Sequence, residues 1–467
     1  DSSETSNWLP GERALQELRN WQPPAKGGTP VTEEESLVVL GRYQRSLSAA
    51  CLGSCALGTT LGYASSALPD LATEPWYGVR DDHSRWFLDG LLLVAALGAL
   101  ASGNNRSRHT CAPIKTGDVV IPVNEIGRRF VTVVEGLPGL GMGVTTACFH
   151  SAGMSPEGQI RTRPTVSQVA SSSGLLLAYA AGGLLGWEVL AGVCAVPPLL
   201  LLCTSSYLLE SPYWLLRHGR QREADHAVNR LYGFQIPDEV RRRCIDASIK
   251  MISGEPRGWH TRKIAVCLSL QALHNLSCAQ LLLLRNVQVL SPLAVDLSPR
   301  AGAIGMASLQ LAVSSLAASL TRLLGRRSLL LLSAFVVSFS FSVFKPLDHL
   351  VLGAPARSPQ QGSDAGVLVA LCVLVVGHSL GLGHVPSLVM GELIPGRMRY
   401  SCSACVSAFR WLLGFLILHF DVQLVNVVKY KNSFLALSLA AFLLACMVAV
   451  YLPETEGRSL ADIEKDD

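Results

Sequence analysis

Charge is scarce in this chain: 16% of its 467 residues are Asp, Glu, Lys or Arg, and aromatic residues make up 7%. That scarcity excludes the roughly three solvated domains that the length alone would suggest. Lys and Arg number 39 against 35 Asp and Glu, and the resulting charge of +4 is spread along loops, so no nucleic-acid partner is implied. No HExxH, no P-loop and no nucleophile–base–acid set occurs, and His150, His378 and His384 stand isolated in the sequence. An enzyme therefore has no support, and no metal or cofactor site is expected. The 13 cysteines do not form a disulfide framework either. Most, including Cys51, Cys55, Cys194, Cys372 and Cys446, sit inside apolar runs, and no CxxC pair has metal-like partners nearby. They are expected to act as small packing residues. The first forty residues are polar and acidic and lack a basic-then-apolar run.

What is present is apolar length. Mean hydropathy is +0.34, and apolar runs of about twenty residues recur along most of the chain, the length that crosses a hydrocarbon layer as a helix. Barrel strands would alternate apolar and polar positions, and these runs do not. Eleven spans are expected, near 46–68, 86–103, 130–150, 165–186, 189–209, 264–284, 301–323, 328–345, 366–390, 401–420 and 433–452. The hydrophilic stretch 210–263 divides them into five and six. It carries eleven Lys and Arg residues, including Arg241, Arg242 and Arg243, which assigns it to the cytoplasmic side. Its helical spacing predicts short surface helices. The organisation expected is a polar tail over 1–44, a first transmembrane bundle over 45–209, a cytoplasmic linker over 210–263, a second bundle over 264–452 and a cytoplasmic tail over 453–467. Within the first bundle, 104–127 is too polar for a span: Arg106, Arg108, Lys115, Asp118 and Glu125 leave VVIPV as its apolar part, and Pro122 interrupts it. A re-entrant segment or an inverted N-terminus would follow.

Four blocks, in order, resemble the sugar porter family of the major facilitator superfamily, the group of facilitative glucose and insect trehalose transporters. They are LLESPYWLLRHGRQREADHAVNRLYG at 208–233, LGRRSLLLLS at 324–333, GELIPGRMR at 391–399 and LPETEGRSLADIE at 452–464. The resemblance implies an all-α membrane protein of the major facilitator fold. Eleven of twelve helices are recognisable, the third being the missing one. They would form two six-helix bundles with a sugar site between them and alternating access by rocking.

A sugar is best held by amides, which donate and accept at once, and by an aromatic surface. By resemblance the substrate-binding positions are Gln168, His274, Asn275, Gln280, Gln310 and Trp411, with Arg410 where an asparagine is typical. Ser387 stands where the family usually has a tryptophan. Arg285 replaces an aromatic near the end of the seventh family helix. Arginines beside a sugar-like site suggest an anionic ligand or an altered function; snorkelling of Arg285 to the interface is the plainer alternative. The amides could equally bond neighbouring helices.

The gating and salt-bridge positions implied by the resemblance are Arg128, Glu210, Arg326, Glu392, Arg399 and Glu454. The matching acid after the fourth helix appears as Gly153, and the acid preceding the second basic turn as Arg322. No carboxylate occurs in 46–68, where proton-coupled relatives carry one. Asp89 and Glu135 lie in other spans, Asp89 being assigned to the interface. The expectation is facilitative transport, as a uniporter, of a hexose or similar small polyhydroxylated solute, in the plasma membrane rather than an intracellular one. The competing expectation is a transport-deficient paralogue, acting as a sensor or scaffold.

Overall fold

The computed structural model describes residues 51–67, most of 89–100, 163–204, 222, 223 and 226, 260–291 except 278, 298–343, 361–394, 399–420 and 430–454. The segments 1–44, 104–127 and 130–150, and nearly all of 210–263, lie outside the described residues, as do Arg128, Glu135, Gly153 and Glu210. So do the side chains of Arg322 and Arg399.

Among the described residues every element is helical. The first half contributes α1 (51–67), α2 (89–100), α3 (Arg163–Leu184) and α4 (Trp187–Thr204). The second begins with α5 (His260–Leu276), α6 (Ala279–Leu284) and α7 (Asn286–Leu290). It continues with α8 (Pro299–Leu324), α9 (Arg326–Val343), α10 (Gln361–Gly377), α11 (Val385–Leu393), α12 (Arg399–His419) and α13 (Tyr430–Tyr451). Pro299–Thr321, Gly366–Leu393 and Ser401–His419 are each long and apolar enough to cross a membrane. The surface is inverted relative to a soluble protein: Leu332, Phe335 and Phe339 form an outward stripe on α9 at helical spacing.

Without water inside a bilayer, every backbone group needs an internal partner. α4 contains Pro197 and Pro198. Pro198 has no N–H, so the carbonyl of Cys194, four residues earlier, loses its helix donor. The Thr59 hydroxyl of α1, which donates to Ala56 O at 3.0 Å, also reaches that carbonyl at 3.4 Å, a shared bond. Close approach of backbones supplies the rest of the first half's cohesion. A Cβ on Gly58 would stand 1.9 Å from the Ser171 carbonyl oxygen, and one on Gly174 would stand 2.2 Å from that of Cys55. Only glycine lets α1 and α3 meet this way.

In the second half, serines join the apolar layers. Ser338 donates to the Ser438 carbonyl at 3.0 Å, joining α9 to α13, and Ser340 donates to Ala370 in α10 at 3.0 Å. α5 also packs on α12 and α13.

The halves meet along α3 and α8, where Ser172 and Ser314 hydroxyls are 3.3 Å apart. Contacts continue toward the end of the molecule that holds Leu184, Leu290 and His419. There Val287 N–H donates to Ser65 Oγ at 3.5 Å, and His419 Nδ1 lies 3.0 Å from Asp89 Oδ2. Asp89, the first residue of α2, is fully buried at this end, because α12 brings a histidine over it.

The opposite end of the second half carries a charged lock. Gly325 joins α8 to α9 with φ +76°, a conformation that side chains resist. The Arg326 guanidinium donates to the Glu392 carboxylate, both buried. Glu454 accepts from the N–H groups of Arg326 and Arg327 at 3.0 and 3.2 Å, capping the start of α9. Of the six expected gating residues, the structure thus brings Arg326, Glu392 and Glu454 together within one half.

Candidate functional site

Two stretches of helix break, and polar side chains from both breaks meet on Arg410. The span expected over 264–284 is not one continuous helix. α5 ends at Leu276 because the Ser277 hydroxyl donates to the His274 carbonyl at 2.6 Å, competing with the helical donor. The chain resumes as α6, so His274 and Asn275 precede the break and Gln280 follows it.

The second break lies between α10 and α11. A wide π-turn, His378–Leu382, separates them. Ser333 of α9 holds it open: its hydroxyl donates to Gly377 O at 2.6 Å and accepts from Leu382 N at 2.9 Å. Gly381 has no side chain there because a Cβ would stand 2.9 Å from the Leu329 carbonyl. Pro386 then lacks the N–H that would have tied α11 back to the turn. Local widenings of this kind are characteristic of functional positions in helices.

Arg410, halfway along α12, is the centre of the cluster. Its Nη2 donates to Gln280 Oε1 at 2.7 Å and its Nη1 to Ser387 Oγ at 3.4 Å. Its guanidinium carbon lies 5.2 Å from the Trp411 ring centre, a cation–π distance. His274 Nε2 lies 3.1 Å from the same Gln280 oxygen. A guanidinium only donates, so the Gln280 oxygen faces it and the Gln280 NH2 group points elsewhere. Asn275 is differently placed: its amide donates to the carbonyls of Gln271 and Arg410, each at 3.1 Å. It holds α5 against the backbone of α12 and keeps its carbonyl oxygen for a ligand or neighbour.

The remaining two amides come from the facing half and its seam. Gln168 and Ser172 are four residues apart on α3, hence on one face. Gln310 Nε2 points to Ser172 Oγ at 3.5 Å. A Cβ on Gly383 would stand 3.1 Å from Gln168 Nε2, so Gln168 lies against the α10–α11 break, one helical turn from Ser387. The polar groups therefore run in sequence from Arg410 through Ser387 and the break to Gln168, then along α3 to Gln310. Gln168, Gln280, Ser387 and Arg410 each keep part of their surface accessible.

Two contributors were not legible in the sequence. His378 is not isolated: its ring centre lies 5.8 Å from that of His274. His384 lies 3.4 Å from the Thr321 hydroxyl. The glycine-rich stretch GHSLGLGHVP was the available signal, since it marks a helix that cannot stay regular. Arg285 begins α7 at a backbone bend and is half-buried. Among the described residues no cluster of His, Cys, Asp and Glu could hold a metal.

Among the described residues the chain is helical throughout, in two halves with broken helices and a polar seam between them, the architecture of a multi-pass membrane transporter of the major facilitator fold. Its structure superposes on the proton:xylose symporter XylE of E. coli, bound to 6-bromo-6-deoxy-D-glucose, with a TM-score of 0.72. That match has 17% identity and covers 91% of this chain and 99% of the other. The Sugar (and other) transporter family matches residues 132–466, more than half of the chain, and the chain belongs to that family. It is 26% identical over 448 residues to the bovine solute carrier family 2, facilitated glucose transporter member 8, covering 89% of this chain and 92% of the relative. To the facilitated trehalose transporter Tret1 of Apis mellifera ligustica it is 24% identical, covering 91% and 88%. The chain is thus a sugar transporter of the membrane and not an enzyme.

Proposed function

We propose that the protein moves a small polyhydroxylated solute of hexose size by facilitated, uniport transport, with Gln168, Gln280, Gln310 and Arg410 contacting it. The observation that carries this reading is the meeting of Gln280, Ser387 and Arg410 at two helix breaks, opposite Gln168 of the other half. Broken helices at a seam between halves supply fixed polar groups at a depth where backbone and side chains otherwise have no free partners. Asn275, His274 and Trp411 shape this site from behind, through backbone carbonyls, the Gln280 oxygen and the guanidinium face.

The uniport reading is supported by the lack of any carboxylate in 46–68. The contacts between halves from mid-depth to the Asp89–His419 end suit a state closed at that end. The basic stretch 210–263 favours a cytoplasmic location for the other end, so the closed end would face outward. The plasma membrane is the favoured location. The Arg326–Glu392–Glu454 lock stiffens the end that must open and close as one body during rocking.

The test is uptake of radiolabelled D-glucose and other hexoses by purified protein in liposomes. Saturable uptake that Gln280→Ala weakens is the expected result. Uptake that no hexose or hexose derivative supports, at any concentration, overturns the reading.

A further inference from the structure

Arg410 is a charge inside a membrane-spanning helix without a counter-charge among the described residues. Its contacts are the Gln280 amide oxygen, the Ser387 hydroxyl and the Trp411 ring, all neutral. Its Nε is buried and has no hydrogen-bond partner. Of the carboxylates whose side chains are described, Asp89 lies against His419, Glu392 against Arg326 and Glu454 against the N-terminus of α9, and Glu223 is exposed. A charged side chain at the bilayer centre is disfavoured by at least ~2.5 kcal/mol and normally has a partner. Among the described residues no such partner faces Arg410.

The rest of the cluster fits the same gap. The Gln280 oxygen already accepts from Arg410, with His274 Nε2 at 3.1 Å from it. What Gln280 offers outward is its NH2 group, a donor. The site thus presents a guanidinium and an amide NH2, donors suited to an acceptor-only group. A carboxylate is such a group, and its two oxygens match a guanidinium edge. A phosphate ester carries nearly two negative charges. One arginine would leave most of the second charge uncompensated in the bilayer.

We infer that the solute is a hexose-sized sugar acid, such as a hexuronate, with its carboxylate held by Arg410 and Gln280 and its hydroxyls by the amides of α3 and α8. The inference rests on the transport reading above and narrows its substrate class.

The experiment uses the full chain in liposomes and measures uptake of radiolabelled D-glucuronate and D-glucose, each challenged with unlabelled D-glucuronate, D-glucose or D-glucose 6-phosphate. D-glucuronate is expected to enter saturably and to compete at least about tenfold better than D-glucose. Arg410→Gln should abolish that advantage, and Arg410→Lys, which keeps the charge but not the planar edge, should retain part of it. If D-glucose enters and D-glucuronate neither enters nor competes, the sugar-acid inference is wrong and the transport reading stands. If D-glucose 6-phosphate competes best, the carboxylate assignment is wrong. Should neither D-glucose nor D-glucuronate enter, the sugar-acid inference is wrong, and uptake of the other hexoses decides the transport reading. Should Arg410→Gln not fold, wild-type competition alone decides.

Discussion

His419 and Asp89 meet across the two halves of the molecule, Nδ1 to Oδ2 at 3.0 Å, with the aspartate fully buried. Phe415 stacks on the histidine ring at 5.3 Å between centres and Phe420 meets its edge at 5.0 Å. The ring is therefore held in place whichever tautomer it adopts. Removing either partner should leave a buried polar group, a loss of about 1–3 kcal/mol. Asp89→Ala and His419→Ala are predicted to lower thermal stability separately and to be non-additive together. A double-mutant cycle on purified protein measures this, and strict additivity would show that the two residues do not hold each other. Both variants should also make cysteines placed near residues 65 and 287 more reactive to a water-soluble thiol reagent, because this contact closes that end.

A second prediction concerns the backbone repair in the first half. Thr59→Val removes the hydroxyl that reaches the Cys194 carbonyl, and about 1 kcal/mol of stability should go with it. Pro198→Ala restores the missing N–H of α4. In the Pro198→Ala background the Thr59→Val change should therefore have little effect. Equal losses in both backgrounds would mean that the Cys194 carbonyl finds its partner elsewhere.

Such repairs mark the limit of what the sequence reveals. The helical class was legible because twenty-residue apolar runs have one physical use. The motifs placed Arg326, Glu392 and Glu454 at helix ends, and the three meet there. The breaks were not legible. Nothing in the run 264–284 says that Ser277 will take the His274 carbonyl, or that Ser333, on another helix, will prop open the turn after Gly377. Those events are tertiary. For the same reason His378 read as isolated and the histidine partner of Asp89 went unseen, since the partner of each comes from a distant helix. Ser387 and Arg410 were separately visible as departures from the family pattern. Only packing shows that they touch.

The lock itself gives the third prediction. Arg326→Ala leaves Glu392 buried without its counter-ion, a loss of about 3–5 kcal/mol. Gly325→Ala meets two obstacles at once: φ +76°, and a Cβ that would stand 2.8 Å from Glu454 Oε2. Left-handed backbone alone disfavours a side chain by roughly 1–2 kcal/mol. Melting temperatures in detergent should fall for both, and more for Arg326→Ala. A Gly325→Ala protein as stable as wild type would show that the turn relaxes.

The last prediction tests whether the two departures are one change. Ser387 is small, and Arg410 Nη1 approaches its hydroxyl at 3.4 Å. The resemblance places a tryptophan at 387 and an asparagine at 410. An indole at 387 would claim the volume into which the guanidinium now reaches, so the large residue and the long one exclude each other. Ser387→Trp alone should impair uptake, because Arg410 is displaced without any gain of a free stacking face. Arg410→Asn alone should leave a space beside Ser387 and weak binding of any sugar. Together they exchange a charged edge for an aromatic face. The double variant should bind D-glucose better than either single variant, by about 1–2 kcal/mol beyond additivity. Competition uptake in liposomes reads the result. If the double variant is no better than the sum of the singles, Ser387 and Arg410 are independent features of the site.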